Sequence, residues 1–226
     1  MQHLLEPMRN LTLPNVLDLR PLRAHFYCAV WQEMNGFRDE ETNLAILKRN
    51  LPDCSKTILE LLEHSLDAAQ VAVDRGMSTD LIPALLDEDL DLQAEDSLVL
   101  YSDIAELAQC FFDLTGALRI GVRLERVESD NCRLFHVDHV EARLVSTYFG
   151  KGTEWLKNED VLRSGLGQGD NDLVMRPGSE IQSMLPGWVG IMKGERKNPG
   201  AGLVHRSPPI QDSGLKRILL RMDVLA

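Results

Sequence analysis

The feature that most constrains the fold of this 226-residue chain is an abrupt change of texture after Gly116. Downstream, apolar residues fall in short β-type runs, ALRIGVRLERV, CRLFHVDHVEARLVSTYFG, GWVGIMKGE, GLVHRSPPI and KRILLRMDVL, separated by Gly, Pro, Asn and Asp. Short strands with turn signals between them suit a barrel or sandwich. Upstream, from about residue 22 to residue 117, the spacing reads as helical. In TILELLEHSLDAAQVAVDRG, residues Ile58, Leu61, Leu62, Leu66, Ala69 and Val73 recur at steps of three and four, behind Ser55 as an N-cap and before Gly76 as a stop. DSLVLYSDIAELAQCFFDLTG behaves alike up to Gly116, and residues 22–50 read as one or two more helices broken at Asn35-Gly36. The expectation is an α+β protein in which a helical region, 1–117, packs on the outside of a β domain, 118–226.

Composition narrows the function. Lys plus Arg number 24 against 35 Asp plus Glu, a formal charge of -11, which argues against nucleic acid or an anionic membrane as a partner. Cys28, Cys54, Cys110 and Cys132 form no C-x-x-C pair, so neither a zinc ribbon nor a disulfide framework is suggested. With no secretory pattern in MQHLLEPMRNLTLPNV and no long apolar stretch, the reading is a soluble, cytoplasmic protein. No G-x-S-x-G elbow occurs, and SGLGQGDND lacks the Lys of a phosphate loop. The acidic run LDEDLDLQAEDS alternates Asp87, Asp89 and Asp91 but has Leu92 where a calcium loop needs Gly and Leu98 where it needs Glu, leaving a solvated acidic turn.

The chemistry gathers in the β half. His136 and Asp138 in FHVDHV are two apart, so on a strand both side chains share a face. His205 in GLVHRSPP lies on another expected strand, which a rolled sheet can bring beside the first pair. Two imidazoles and one carboxylate on one side of an ion form the facial triad used by non-haem Fe(II), with positions left open. His139, odd-spaced from His136, faces away on a regular strand, and Cys132 reads as a small buried hydrophobe, although a thiolate there would favour zinc.

The order H-x-D, a long intervening region, a distal His and then Arg217 twelve positions later in a final strand resembles the 2-oxoglutarate and Fe(II)-dependent dioxygenase superfamily over about residues 118–226. That resemblance implies a double-stranded β-helix, jelly-roll or cupin-like, with His136, Asp138 and His205 as metal ligands and Arg217 on the far carboxylate of 2-oxoglutarate. It also places Arg143, Tyr148, Thr153, Glu154 and Trp155 in the stretch that lines the pocket, Tyr148 being taken as a second co-substrate residue. By the two-residue period Leu219 and Arg221 share the face of Arg217, and Arg221 is the alternative anchor one step along. CRLFHVDHVEARLVSTYFGKGTEWL, GLVHRSPPI and RILLRMD resemble more closely a bacterial domain-of-unknown-function family, number 1826, which adds a metal theme, zinc homeostasis included, but no reaction. A cupin is the rival on the same architecture, with Glu141 and Gly150 roughly placed, but Asp138 stands where the second cupin His belongs. The leading expectation is thus an Fe(II)/2-oxoglutarate oxygenase, the alternative a non-catalytic zinc-binding protein. Substrate and oligomeric state are not legible.

Overall fold

A computed structural model describes residues 24–65, 67–129, 132–211 and 213–225. The expectations for the N-terminal segment and for Leu66 lie outside these residues. Seven strands form one sheet: β1 (Ala24–Cys28), β2 (Thr42–Leu47), β3 (Ala68–Asp74), β4 (Arg119–Val127), β5 (Ala142–Phe149), β8 (Val189–Lys193) and β10 (Arg217–Val224). Their spatial order is β1-β2-β8-β5-β10-β4-β3, with β1 and β2 parallel and the other neighbours antiparallel. A second sheet orders β7 (Gln182–Ser183), β6 (Glu154–Trp155) and β9 (His205–Arg206).

Three helices accompany them, α1 (Ser55–Glu63), α2 (Leu81–Leu90) and α3 (Ser97–Thr115). Period-two alternation on β10 divides the protein into layers. Ile218, Leu220, Met222 and Val224 point into the main core with Leu100, Ile104, Leu107 and Phe111 of α3. Leu219, on the opposite face, joins Val145, Leu44 and Ile46 in a second cluster with Trp155 of the small sheet. Helices thus cover one side of the large sheet and the small sheet covers β2, β5, β8 and β10 on the other, while the β3 end of that second face stays open.

The helical reading of residues 22–117 needs correction. α2 and α3 form, and α3 stops at Gly116, whose φ of 71° suits a residue without Cβ and whose N–H bonds Phe112 O at 2.9 Å. α1, however, ends at Glu63, and Ala69 and Val73 belong to strand β3. Ala69, Val71 and Val73 fit a two-residue period as well as a helical one, and pairing with β4 decides between them. Residues 24–47 give β1, a 3-10 helix over Trp31–Arg38 that contains Asn35-Gly36, and β2, rather than the one or two helices expected for 22–50. All six residues of β2 are buried, which removes the alternation that would mark a strand. The sheet thus hydrogen-bonds strands from both sides of residue 117, since β3 pairs β4 directly. Ser55 is not a cap: Asp96 accepts the α1 N–H groups of Lys56 and Thr57 at 2.9 and 2.8 Å, so part of the acidic run caps a distant helix. Among the described residues no helix is long and apolar enough to cross a membrane.

Candidate metal centre

The H-x-D element is not the regular strand that its spacing suggested. His136 sits in an irregular passage between β4 and β5, where it makes an isolated antiparallel bridge with His205. The N–H of each donates to the C=O of the other at 3.0 Å. The passage is braced from two sides. Asn171, in the glycine-rich loop, accepts from Phe135 N at 2.7 Å and donates to Arg133 O at 3.0 Å. On the other side, Glu195 N donates to Asp138 O at 2.9 Å and Gly194 N to Glu141 O at 3.1 Å. Gly194 lies so close that a Cβ there would meet Val140 O at 2.2 Å and Asp138 O at 2.6 Å.

These braces bring His136, Asp138 and His205 together, with one ligand-type atom from each within 4.8 Å of the others. His136 Nδ1 lies 2.9 Å from Leu134 O and His205 Nδ1 lies 3.2 Å from Leu203 O. A carbonyl accepts but cannot donate, so each Nδ1 carries a proton, and each Nε2, turned toward the Asp138 carboxylate, is the nitrogen a metal would take in exchange for any proton held there. Asp138 Oδ2 stands 3.1 Å from His205 Nε2 and 2.5 Å from Arg143 Nη1, yet no neighbour is aligned to hydrogen-bond it, although it is buried. Burial alone would raise the Asp138 carboxyl, but the two imidazoles and the Arg143 charge overcome it and hold the group well below the usual carboxylate range. Burial likewise pushes His136 down, and the Asp138 carboxylate and the Leu134 carbonyl reverse the shift, so its imidazole ends above the ordinary value. Arg143 is fixed in turn by Asp223 on β10, through Nε to Oδ1 at 2.5 Å and Nη2 to Oδ2 at 3.0 Å.

A cavity of about 510 Å³ opens beside the two histidines, with Arg143, Val145, Thr153 and Arg217 in its wall. Arg217 is the most unusual group in it. Only 1% exposed, its side chain has no carboxylate partner among the described residues, and its Nε is buried without any hydrogen bond. Nη2 makes two long contacts, 3.4 Å to Thr147 Oγ1 and 3.5 Å to Thr153 Oγ1. Burial pulls this guanidinium down to about 10 against the more distant pull of Glu125 and Glu154.

Arg217, Leu219 and Arg221 share one face, as the period requires, and all line the cavity. Tyr148 does not. It faces the other side of β5, in the helix-side core, where its hydroxyl bonds Asp103 of α3 beside Arg49. Tyr148 is odd-spaced from Arg143 and Val145, and that alternation was the signal against it. Thr147, which receives Arg217, was missed although the same alternation points to it. His139 is not part of the three-residue cluster, and Cys132 is exposed on the cavity wall instead of buried. Arg206 and Ser207 line the cavity too, Arg206 pairing Glu154 at 2.8 Å.

The dioxygenase for auxin oxidation 1 from Arabidopsis thaliana, solved with 2-oxoglutarate, is similar with a TM-score of 0.51 at 10% identity, over 87% of each chain. The rice dioxygenase for auxin oxidation gives 0.48 at 12% identity, over 87% of this chain and 78% of the other. At such identity the first likeness establishes a shared fold. No curated protein matches by sequence. A family model matches residues 30–223, and the chain belongs to that family, described as "Protein of unknown function (DUF1826)".

Proposed function

We propose that the protein is an Fe(II)- and 2-oxoglutarate-dependent oxygenase in which His136, Asp138 and His205 hold the metal and Arg217 takes the far carboxylate of 2-oxoglutarate. The observation that carries this reading is a buried guanidinium without a carboxylate, in the same cavity wall as two histidines whose Nε2 atoms turn toward one carboxylate. A buried unpaired charge is costly and persists where a ligand completes it. The donor set fits a divalent ion: two imidazoles oriented through Nδ1, one ionised carboxylate and an unaligned buried Oδ2. Bound there, Fe(II) with 2-oxoglutarate supplies O₂ activation coupled to decarboxylation of the co-substrate.

The chain's own part is positioning. The Leu134 and Leu203 carbonyls fix both imidazoles in the tautomer that offers Nε2. Arg143 holds Asp138 ionised, and Val127, Val145 and Leu219 make part of the wall apolar. Thr147 and Thr153 hold the Arg217 fork in place. The test is metal analysis of protein purified without oxygen, then anaerobic titration of the Fe(II) form with 2-oxoglutarate and assay of succinate formation. Absence of both an absorption band at millimolar 2-oxoglutarate and any turnover would remove the oxygenase reading.

A further inference from the structure

The cavity face of the large sheet carries more guanidinium groups than carboxylates to serve them. Across β5, β10 and β4, Arg143 lies opposite Asp223, and Arg221 lies opposite Val145 on one side and Arg123 on the other. Each carboxylate in this patch is already committed. Asp223 is held by both ends of Arg143, and Glu125 pairs Arg123 Nε at 2.6 Å. Arg123 also donates to Gln70 Oε1 at 2.9 Å. Arg221 is left with their far sides: its Nη1 is 3.9 Å from Glu125 Oε1, its Nε is 3.5 Å from Asp223 Oδ2, and Nε is buried without a hydrogen bond. Two like charges directly opposite on one face of an antiparallel pair repel, so the Arg221–Arg123 pairing is an unfavourable choice for the bare protein.

Among the described residues, Arg217 thus has no carboxylate partner and Arg221 only the far sides of two that are already paired, the two cations lying four residues apart on one strand, or roughly 13 Å at the usual rise. Both face the main cavity, and Arg221 and Arg123 also border an adjoining hollow that opens toward β3 beside Gln70 and Leu225. We propose that Arg221, backed by Arg123, is a second anion site and that the substrate is a molecule bearing a carboxylate or phosphate group, docked at the β3 side of the cavity while 2-oxoglutarate occupies Arg217. Calling the ligand a substrate rests on the oxygenase reading, whereas the anion site itself does not. An anion between the two guanidiniums replaces their repulsion with charge-assisted hydrogen bonds, which a neutral or cationic molecule cannot do.

The experiment is ligand-observed NMR on the full chain with three probes, benzoate, inorganic phosphate and benzylamine. Each is titrated into the metal-free protein and into the anaerobic metal-loaded protein saturated with 2-oxoglutarate. The expected result is binding of benzoate or phosphate, but not benzylamine, in both states; binding that persists in Arg217→Met, where the first anchor cannot compete, is weakened at least about tenfold by adding Arg221→Met and partly restored by Arg221→Lys. Benzoate and phosphate distinguish the two anion classes. Because Glu125 and Asp223 keep their other partners, Arg221→Met should fold, and circular dichroism checks it. The proposal is overturned if no anion binds, if benzylamine binds as well as benzoate, or if the anions are displaced by 2-oxoglutarate and lost in Arg217→Met but not in Arg221→Met. If 2-oxoglutarate itself fails to bind, the oxygenase reading falls while the metal-free titration still decides the anion site.

Discussion

His136 and His205 are joined through their backbones, each N–H donating to the other's C=O at 3.0 Å, and their rings lie 4.6 Å apart. The distance between the two metal-ligand candidates is thus set by a main-chain bridge that does not depend on either imidazole. His136→Ala, Asp138→Ala and His205→Ala are each expected to abolish tight binding of Fe(II) or its substitutes; the two histidine changes should move the melting temperature of the metal-free protein by no more than about 4 °C, roughly 1 kcal/mol for a chain this size, and Asp138→Ala should lower it further because Arg143 loses a buried partner. Elemental analysis with thermal melts checks this. Undiminished metal stoichiometry in Asp138→Ala would exclude the triad.

Arg217→Met should weaken 2-oxoglutarate by about one to two orders of magnitude, the range of a charged hydrogen-bonding pair, with metal affinity unchanged. The same change removes a buried cation that has no carboxylate of its own, so the free protein should be as stable or more so. Anaerobic titration and urea unfolding read the two effects separately. A loss of stability of several kcal/mol with no loss of 2-oxoglutarate affinity would make Arg217 a structural residue.

Gly194 lies behind Asp138 and touches no ligand atom described above, yet a Cβ there would collide with the carbonyl oxygens of Val140 and Asp138. Gly194→Ala should displace that loop and lower metal affinity about 10- to 100-fold, the range for residues that orient ligands. Metal titration of a variant with unchanged far-ultraviolet circular dichroism measures it. Wild-type affinity would mean that the loop relaxes without moving the carboxylate.

His25, on β1, reports on pH away from the metal site. Burial lowers its pKa, only partly opposed by Asn158, Glu159 and Asn43. The folded form therefore binds its proton less readily than the unfolded chain, whose histidine titrates near ~6.5. Its contribution to stability is complete above that value and is lost as pH falls from there toward the lower folded pKa. In metal-free protein, His25→Gln should flatten the fall of the urea midpoint between about pH 6.5 and 5, a slope of at most about 1.4 kcal/mol per pH unit for one group. Parallel slopes for wild type and variant would show that His25 titrates alike in both states.

Likeness to the dioxygenase superfamily supplied Arg217 and an expected second strand supplied His205, while local spacing paired His136 with Asp138, because a two-residue period fixes which side chains of a strand share a face. It served equally for Leu219 and Arg221, which line the cavity with Arg217. Family likeness carried less information than this alternation at Tyr148, which faces α3 and not the cavity. Sequence by itself also marked the stop of α3 at Gly116 and the positions of β4, β5, β8 and β10. Only the tertiary structure decided that β1, β2 and β3 are strands, since short apolar runs fit either period until a neighbouring strand takes up their hydrogen bonds. It decided too that the H-x-D element is an irregular passage, held by Asn171, Glu195 and the His205 backbone from far along the chain. The residue types of the candidate site are thus local properties of the sequence, whereas their separation is set by long-range main-chain bonds, which exist only once the two sheets have packed.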